Sequence, residues 1–160
     1  MIRVVPYDAA WPGMFTTERD RLVAALGDVA VSIDHFGSTA VPGLAAKPWI
    51  DIQVAVRRMR PWDPYRDPLL ALGYTHHPDD DDDHEFFDRR PYHVHVCAAG
   101  GAWARRHIAF RDLLRRDAAA RSAYQEEKLR LAAEHDDVLA YTEAKTPIIR
   151  RLKDASILPP

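Results

Sequence analysis

The spacing of apolar residues changes period along the chain, and each change predicts an element. Residues 2–7 suit a short extended segment ended by Pro6. From Pro12 to Leu26, Met14, Phe15, Leu22 and Leu26 form a rough helical stripe, and Gly27 follows as a C-terminal stop. Val29, Val31 and Ile33 then alternate until Gly37, which predicts a strand over about residues 29–35. Ile50, Ile52, Val54 and Val56 fall on one face of a second strand at 49–56, leaving Asp51 and Gln53 on the other. A helix from about Pro64 to Leu72 is closed by Gly73, and Tyr74 to His77 suits a short third strand. Glu85–Arg89 and Tyr92–Cys97 read as a hairpin turned at Arg90-Pro91. In its second arm His93, His95 and Cys97 face one way and Val94 and Val96 the other.

After Gly100-Gly101 the helical period returns. Trp103, His107, Phe110 and Leu114 mark one helix ending near Arg116. Asp117 is placed to cap a second, carrying Ala120, Tyr124 and Leu131. Asp136 or Asp137 caps a third, whose stripe is Val138, Tyr141, Lys145, Ile148 and Leu152. Pro147 removes its hydrogen bond to Glu143 and predicts a bend there. Ile157 onward reads as tail. Strand signals confined to 29–97 predict an α/β (α+β) fold, a mixed sheet of about five strands with a C-terminal helical cap. Residues 1–100 hold the sheet and 101–155 the cap. At 160 residues, one domain is expected over 1–160.

Composition narrows the partners. The formal net charge is −2, so no bulk attraction to nucleic acid or an anionic membrane is implied. No apolar run approaches the roughly 20 residues that span a bilayer, and Met1–Pro12 has no signal-peptide core. The single Cys97 cannot form an intramolecular disulfide, and the expected location is the cytoplasm. Asp79 to Asp83 are five acids in a row, read as a mobile loop. With His76, His77 and His84 nearby, that loop is either simply solvated or a weak cation site. Arg57, Arg58 and Arg60 suit a solvated strand end or a phosphate contact. Tyr7 and Trp11 suit core packing or an aromatic wall beside a base.

The candidate chemistry lies between Ile33 and Val56. A carboxylate on a buried strand is costly unless it is paired or coordinates something, which draws attention to Asp51. The Gly37-Ser38 turn offers backbone N–H groups to an anion. Lys47 enters the second strand behind Pro48, either solvated or reaching a phosphate. His93 and His95, two residues apart, can reach one metal or phosphate. Lys145 occupies a core-facing position, either snorkelling from the stripe or carrying its ammonium into the site.

A Gly-Ser turn followed thirteen residues later by an acid on a strand resembles the nucleotidyltransferase superfamily. The fuller text, Asp34-His-Phe-Gly-Ser-Thr-Ala-Val-Pro-Gly-Leu-Ala-Ala-Lys-Pro-Trp-Ile-Asp-Ile52, resembles the GrpB family. So do Val5-x-Tyr7-x-x-x-Trp11-Pro12, His93-Val-His-Val96 and Tyr141-Thr-Glu-Ala-Lys145. The resemblance implies transfer of a nucleotidyl group from an NTP to a small-molecule acceptor, with activation of a carboxylate before coupling as one form. Asp51, His93 and His95 would be catalytic, with Asp51 and His95 as metal ligands. Gly37, Ser38, Lys47 and Lys145 would bind nucleotide phosphates. The implied cofactor is magnesium or manganese, or zinc if histidines replace acids. This sequence departs from the superfamily pattern at Gln53, where a second carboxylate is expected. Two other readings stand: a degenerate domain that binds a nucleotide or phosphometabolite, and a histidine-dependent nucleotide hydrolase. For the last, Cys97 takes the place of a third alternating histidine.

Overall fold

The computed structural model describes residues 2–78 and 81–157, with side chains up to residue 155. Its centre is a five-stranded mixed sheet in the order β1-β2-β5-β4-β3. The strands are β1 (Ala30–Phe36), β2 (Ile50–Val56), β3 (Thr75–His77), β4 (His84–Arg89) and β5 (Tyr92–Ala98). β2 pairs with β5 in parallel, and the other three pairings are antiparallel. The parallel pair sits mid-sheet, buried on one face and partly open on the other.

On one face, Ile50, Ile52, Val54, Val56, Val94 and Val96 pack against Leu22 and Leu26 of α1 (Trp11–Leu26) and Leu69 of α2 (Asp63–Ala71). On the other, Ala55 and Cys97 meet Trp103 and Ala104 of α3 (Ala102–Arg116). The cap continues with α4 (Ala118–Glu134), α5 (Val138–Ala144) and α6 (Thr146–Ile157). Asp117 and Asp137 cap α4 and α5 by accepting from the amides of Ala120 and Ala140. Val41 and Leu44, between β1 and β2, are fully buried among Leu113, Leu114, Tyr124 and Ile148. The cap is therefore docked on the loop that carries the Gly37-Ser38 turn.

The structure corrects the expected pattern in several places. Val31 is 48% exposed, whereas Val29 and Ile33 pack partly buried against the core, so the alternation marks a core face only in part. β1 is an edge strand, and its pairing slips between Ala30 and Ser32. The buried face of α1 includes Glu18, which receives Tyr74 Oη at 2.8 Å and Arg89 at 2.7 Å. Ser38–Ala40 form one 3₁₀ turn. The single bent helix expected over 138–152 is broken into α5 and α6 at Lys145. Pro147 falls in the first turn of α6, where its missing N–H costs nothing. Of the acidic run, Asp79 and Asp80 lie outside the described residues; Asp81–Asp83 lead directly into β4. The three nearby histidines turn to other partners: His76 to Glu85 (2.7 Å), His77 to Asp88 (2.6 Å) and His84 to His95 (2.8 Å). No helix among the described residues is long and apolar enough to cross a membrane.

Candidate functional site

Parallel register brings the chemistry together. Asp51 lies opposite His93, and Gln53 opposite His95. Because side chains alternate, Asp51, His93 and His95 point to the cap side of neighbouring strands. His93 Nδ1 is 3.1 Å from Asp51 Oδ1 and His95 Nε2 is 3.9 Å from it. One ligand atom from each residue lies within 4.8 Å of the others, the one such cluster among the described residues. On the far side, Gly37 adopts a φ of 69°, and a Cβ there would strike the Asp51 carboxylate. Only glycine lets the turn approach the acid this closely.

Burial acts to raise the Asp51 pKa, but the His93 hydrogen bond and the nearby charges of His95, His93 and Lys47 outweigh it. The net shift is downward, so Asp51 stays ionised at neutral pH. Burial pushes His95 down to about 3 despite Asp51, leaving a neutral imidazole. The rings are held by stacking. Trp49 lies on His93 at 4.2 Å between centroids, and Trp103 covers both His84 and His95.

Across the cleft stand three lysines. Lys128, on α4, is 2% exposed; its Nζ is 2.8 Å from Ser38 Oγ and donates to Ala45 O at 2.7 Å. Gln125, one turn earlier, receives the Ala45 amide at 2.8 Å, so α4 grips this loop twice. Lys145, at the α5–α6 junction, lies 4.4 Å from the Tyr141 ring centroid, and Lys47 reaches the same ring at 5.7 Å. Burial, then mutual repulsion, lowers Lys128 to about 7 and Lys145 to about 8, with Asp51 opposing both shifts. Lys47 is lowered too, by burial first.

Ser38, Lys47, Asp51, His93, His95 and Lys145 thus line one cleft of about 430 Å³, and Gly37 borders the far side of its turn. Other candidates fall elsewhere. Trp11 is core at 3% exposure and Tyr7 packs edge-on against it, so the aromatic wall is not theirs. Trp49, Phe86 and Tyr141 line the cleft instead. Arg60 pairs with Glu85 at 3.1 Å and lies over Trp62, away from the cleft. Gln53 is 3% exposed, leaves its Oε1 without a partner among the described residues, and lines a separate recess beside Asp34. Sequence reasoning missed Lys128. The signal was present, since Lys128 follows Tyr124 by four and precedes Leu131 by three in the stripe of α4. His84 was read only as a flank of the acidic loop, yet it opens β4 and bonds to His95.

Sheet order, parallel central pair and the capped cleft define an α+β protein with a carboxylate–histidine cluster facing a basic helical cap. The chain belongs to the GrpB family: the family's sequence model, described as GrpB protein, matches residues 1–155. A UPF0157 protein of Streptomyces coelicolor is 39% identical over 150 residues, covering 92% of this chain and 80% of that one. A UPF0157 protein of Bacillus subtilis is 30% identical over 161 residues, 96% of this chain but 46% of its own length. A dephospho-CoA kinase of Mycolicibacterium paratuberculosis is 32% identical over 180 residues, 93% of this chain and 44% of the relative. This chain therefore spans less than half of those last two proteins. The crystal structure of conserved protein GrpB from Enterococcus faecalis superposes with a TM-score of 0.84 at 28% identity, covering 98% of this chain and 100% of that one.

Proposed function

We propose that the cleft is a metal-dependent nucleotidyl-transfer site that takes an NTP and a small-molecule acceptor. The observation that carries this reading is the opposition of charges. Asp51, His93 and His95 cluster on the sheet, while Lys47, Lys128 and Lys145 converge from the loop and cap with no carboxylate but Asp51 among the residues lining the cleft. One buried and two half-buried cations around one acid are costly alone and favourable with a polyanion between them. The Gly37-Ser38 turn and Lys128 would hold the outer phosphates, and Trp49 or Tyr141 offers a flat face to a base.

The donor set fits a divalent cation, because Asp51 is ionised and His95 is neutral. Two imidazoles and one carboxylate favour manganese or zinc over magnesium, which prefers oxygen. Asp51, His93 and His95 would hold such an ion, which supplies Lewis-acid neutralisation of phosphate charge when bound. The residues of the chain position the phosphates and exclude water. Activation of a carboxylate acceptor is one form of this reaction, and a cytoplasmic setting belongs to the same proposal.

Gln53 supports a second reading. An amide in place of the second carboxylate, lining a separate recess rather than the cleft, suits a domain that binds a nucleotide or phosphometabolite without transferring it. Calorimetry of ATP with manganese, zinc or magnesium, on wild type and Asp51→Ala, tests binding. Pyrophosphate release with a panel of small acids and amines separates transfer from binding. Absence of metal-dependent nucleotide binding in the wild type would sink both readings.

A further inference from the structure

Ser38 and Lys128 have a relation that phosphate binding does not require. Lys128 Nζ is 2.8 Å from Ser38 Oγ, and its other hydrogen bond among the described residues goes to the carbonyl of Ala45. No carboxylate pairs with it directly among the described residues. The amine is nearly sealed, at 2% exposure, whereas Ser38 is half-buried and opens on the cleft. This hydroxyl thus meets the Lys128 amine and the Tyr124 side chain while Ser38 also lines the cleft. The 3₁₀ turn and the Gly37 conformation fix the serine backbone, and the Ala45 carbonyl fixes the direction of the amine.

We infer that Ser38 and Lys128 form a nucleophile–base dyad competent for acyl transfer, a catalytic element independent of nucleotide and metal. In the step, Ser38 Oγ attacks the carbonyl carbon of an activated acyl group, an ester or thioester, and its proton passes to Lys128 Nζ. The resulting oxyanion faces the ammoniums of Lys47 and Lys145. Collapse breaks the bond to the leaving group, which takes the proton back from Lys128, and the acyl group remains on Ser38. Water or an amine then releases it by the reverse transfers. A base of this kind must be neutral part of the time at working pH. The groups facing Lys128 make that so: burial first, then Lys145 and Lys47, lower it to about 7, while Asp51 raises it. Tyr124, 5.3 Å below the amine, and Tyr141 are pushed up by burial and stay protonated.

The test uses a fluorophosphonate on the full chain without nucleotide or metal, so it stands apart from the nucleotidyl proposal. Attack by Ser38 forms the O–P bond, expels fluoride and leaves the proton on Lys128. Intact mass and peptide mapping should place one adduct on Ser38, none on Ser38→Ala, and labelling in Lys128→Met slower by roughly 100-fold or more, the usual scale for losing a general base. The wild-type labelling rate should rise with pH to a plateau, with a midpoint near 7. That profile decides the matter even if Lys128→Met folds poorly. An unlabelled Ser38 in folded wild type would overturn the dyad, as would equal labelling in folded Lys128→Met or a rate without that midpoint. Any of those leaves Lys128 as a strut holding the turn to α4.

Discussion

Two groups of buried charge flank the same sheet, and they differ in how they are paired. On the face covered by α1 and α2, Glu18 meets Arg89 at 2.7 Å, Arg21 at 3.0 Å and Tyr74 Oη at 2.8 Å. Glu85, fully buried, meets His76 at 2.7 Å and Arg60 at 3.1 Å. Both acids are surrounded by donors. On the cap face, Lys128 is nearly as buried as Glu18 but, among the described residues, hydrogen-bonds to a hydroxyl and a carbonyl and to no carboxylate. Lys145 has an aromatic face and two like charges nearby. Paired buried charge holds a fold together; unpaired buried charge of one sign waits for a ligand. The comparison therefore separates structure from site on electrostatic grounds alone.

The largest effect should come from breaking the paired side. Glu18→Ala strands Arg89 and the Tyr74 hydroxyl, and the expected loss is about 3–5 kcal/mol of unfolding free energy. Denaturant titration checks it, and a loss under about 1 kcal/mol would put this network among surface-like ion pairs.

On the cap face the next effect is on binding. Asp51→Ala removes the one acid of the cleft, and manganese or zinc affinity should fall at least about 100-fold, roughly 2.7 kcal/mol. Calorimetry reads this directly. Unchanged affinity would move the metal elsewhere.

Lys145→Met keeps length and apolar bulk while removing a cation. Triphosphate affinity should drop about tenfold, roughly 1.4 kcal/mol, with no loss of stability. Equal affinity would return Lys145 to a packing role.

The last effect is read across pH and sharpens the contrast further. Lys128 sits at about 7 in the folded protein against an ordinary lysine value of 10.5. Between those values the unfolded chain binds more protons, so this group's contribution to stability rises with pH from about 7 to 10.5. Lys128→Met should flatten that slope and leave the protein at least as stable at pH 7. Thermal melts across this range check the sign; an unchanged slope would mean that Lys128 is solvated.

Much of this was legible in the chain, for identifiable reasons. The alternation in β2 and β5 reported which residues share a face, because a strand's period is fixed by its backbone. Asp117 announced α4, and the pair Asp136-Asp137, of which Asp137 is the cap, announced α5, because capping is local. The GrpB resemblance and the fold also followed from text, since Gly37-Ser38 and Asp51 are set by short-range geometry. Failures came where distant elements decide. Val31 alternates correctly but lies on an edge strand, and Glu18 fills an apolar face only because Arg89 and Tyr74 arrive from elsewhere.

Alone, then, the sequence determined the elements, their faces and the residues able to hold an anion or a cation. Those depend on backbone periods and caps that reach only a few residues. Tertiary structure decided which of these residues meet. The parallel pairing of β2 with β5 set Asp51 beside His93, and packing of Val41 and Leu44 under the cap brought Lys128 across 90 residues of chain to Ser38. Such contacts depend on sheet order and on how helices dock, and neither is carried by the spacing of residues along one strand or helix.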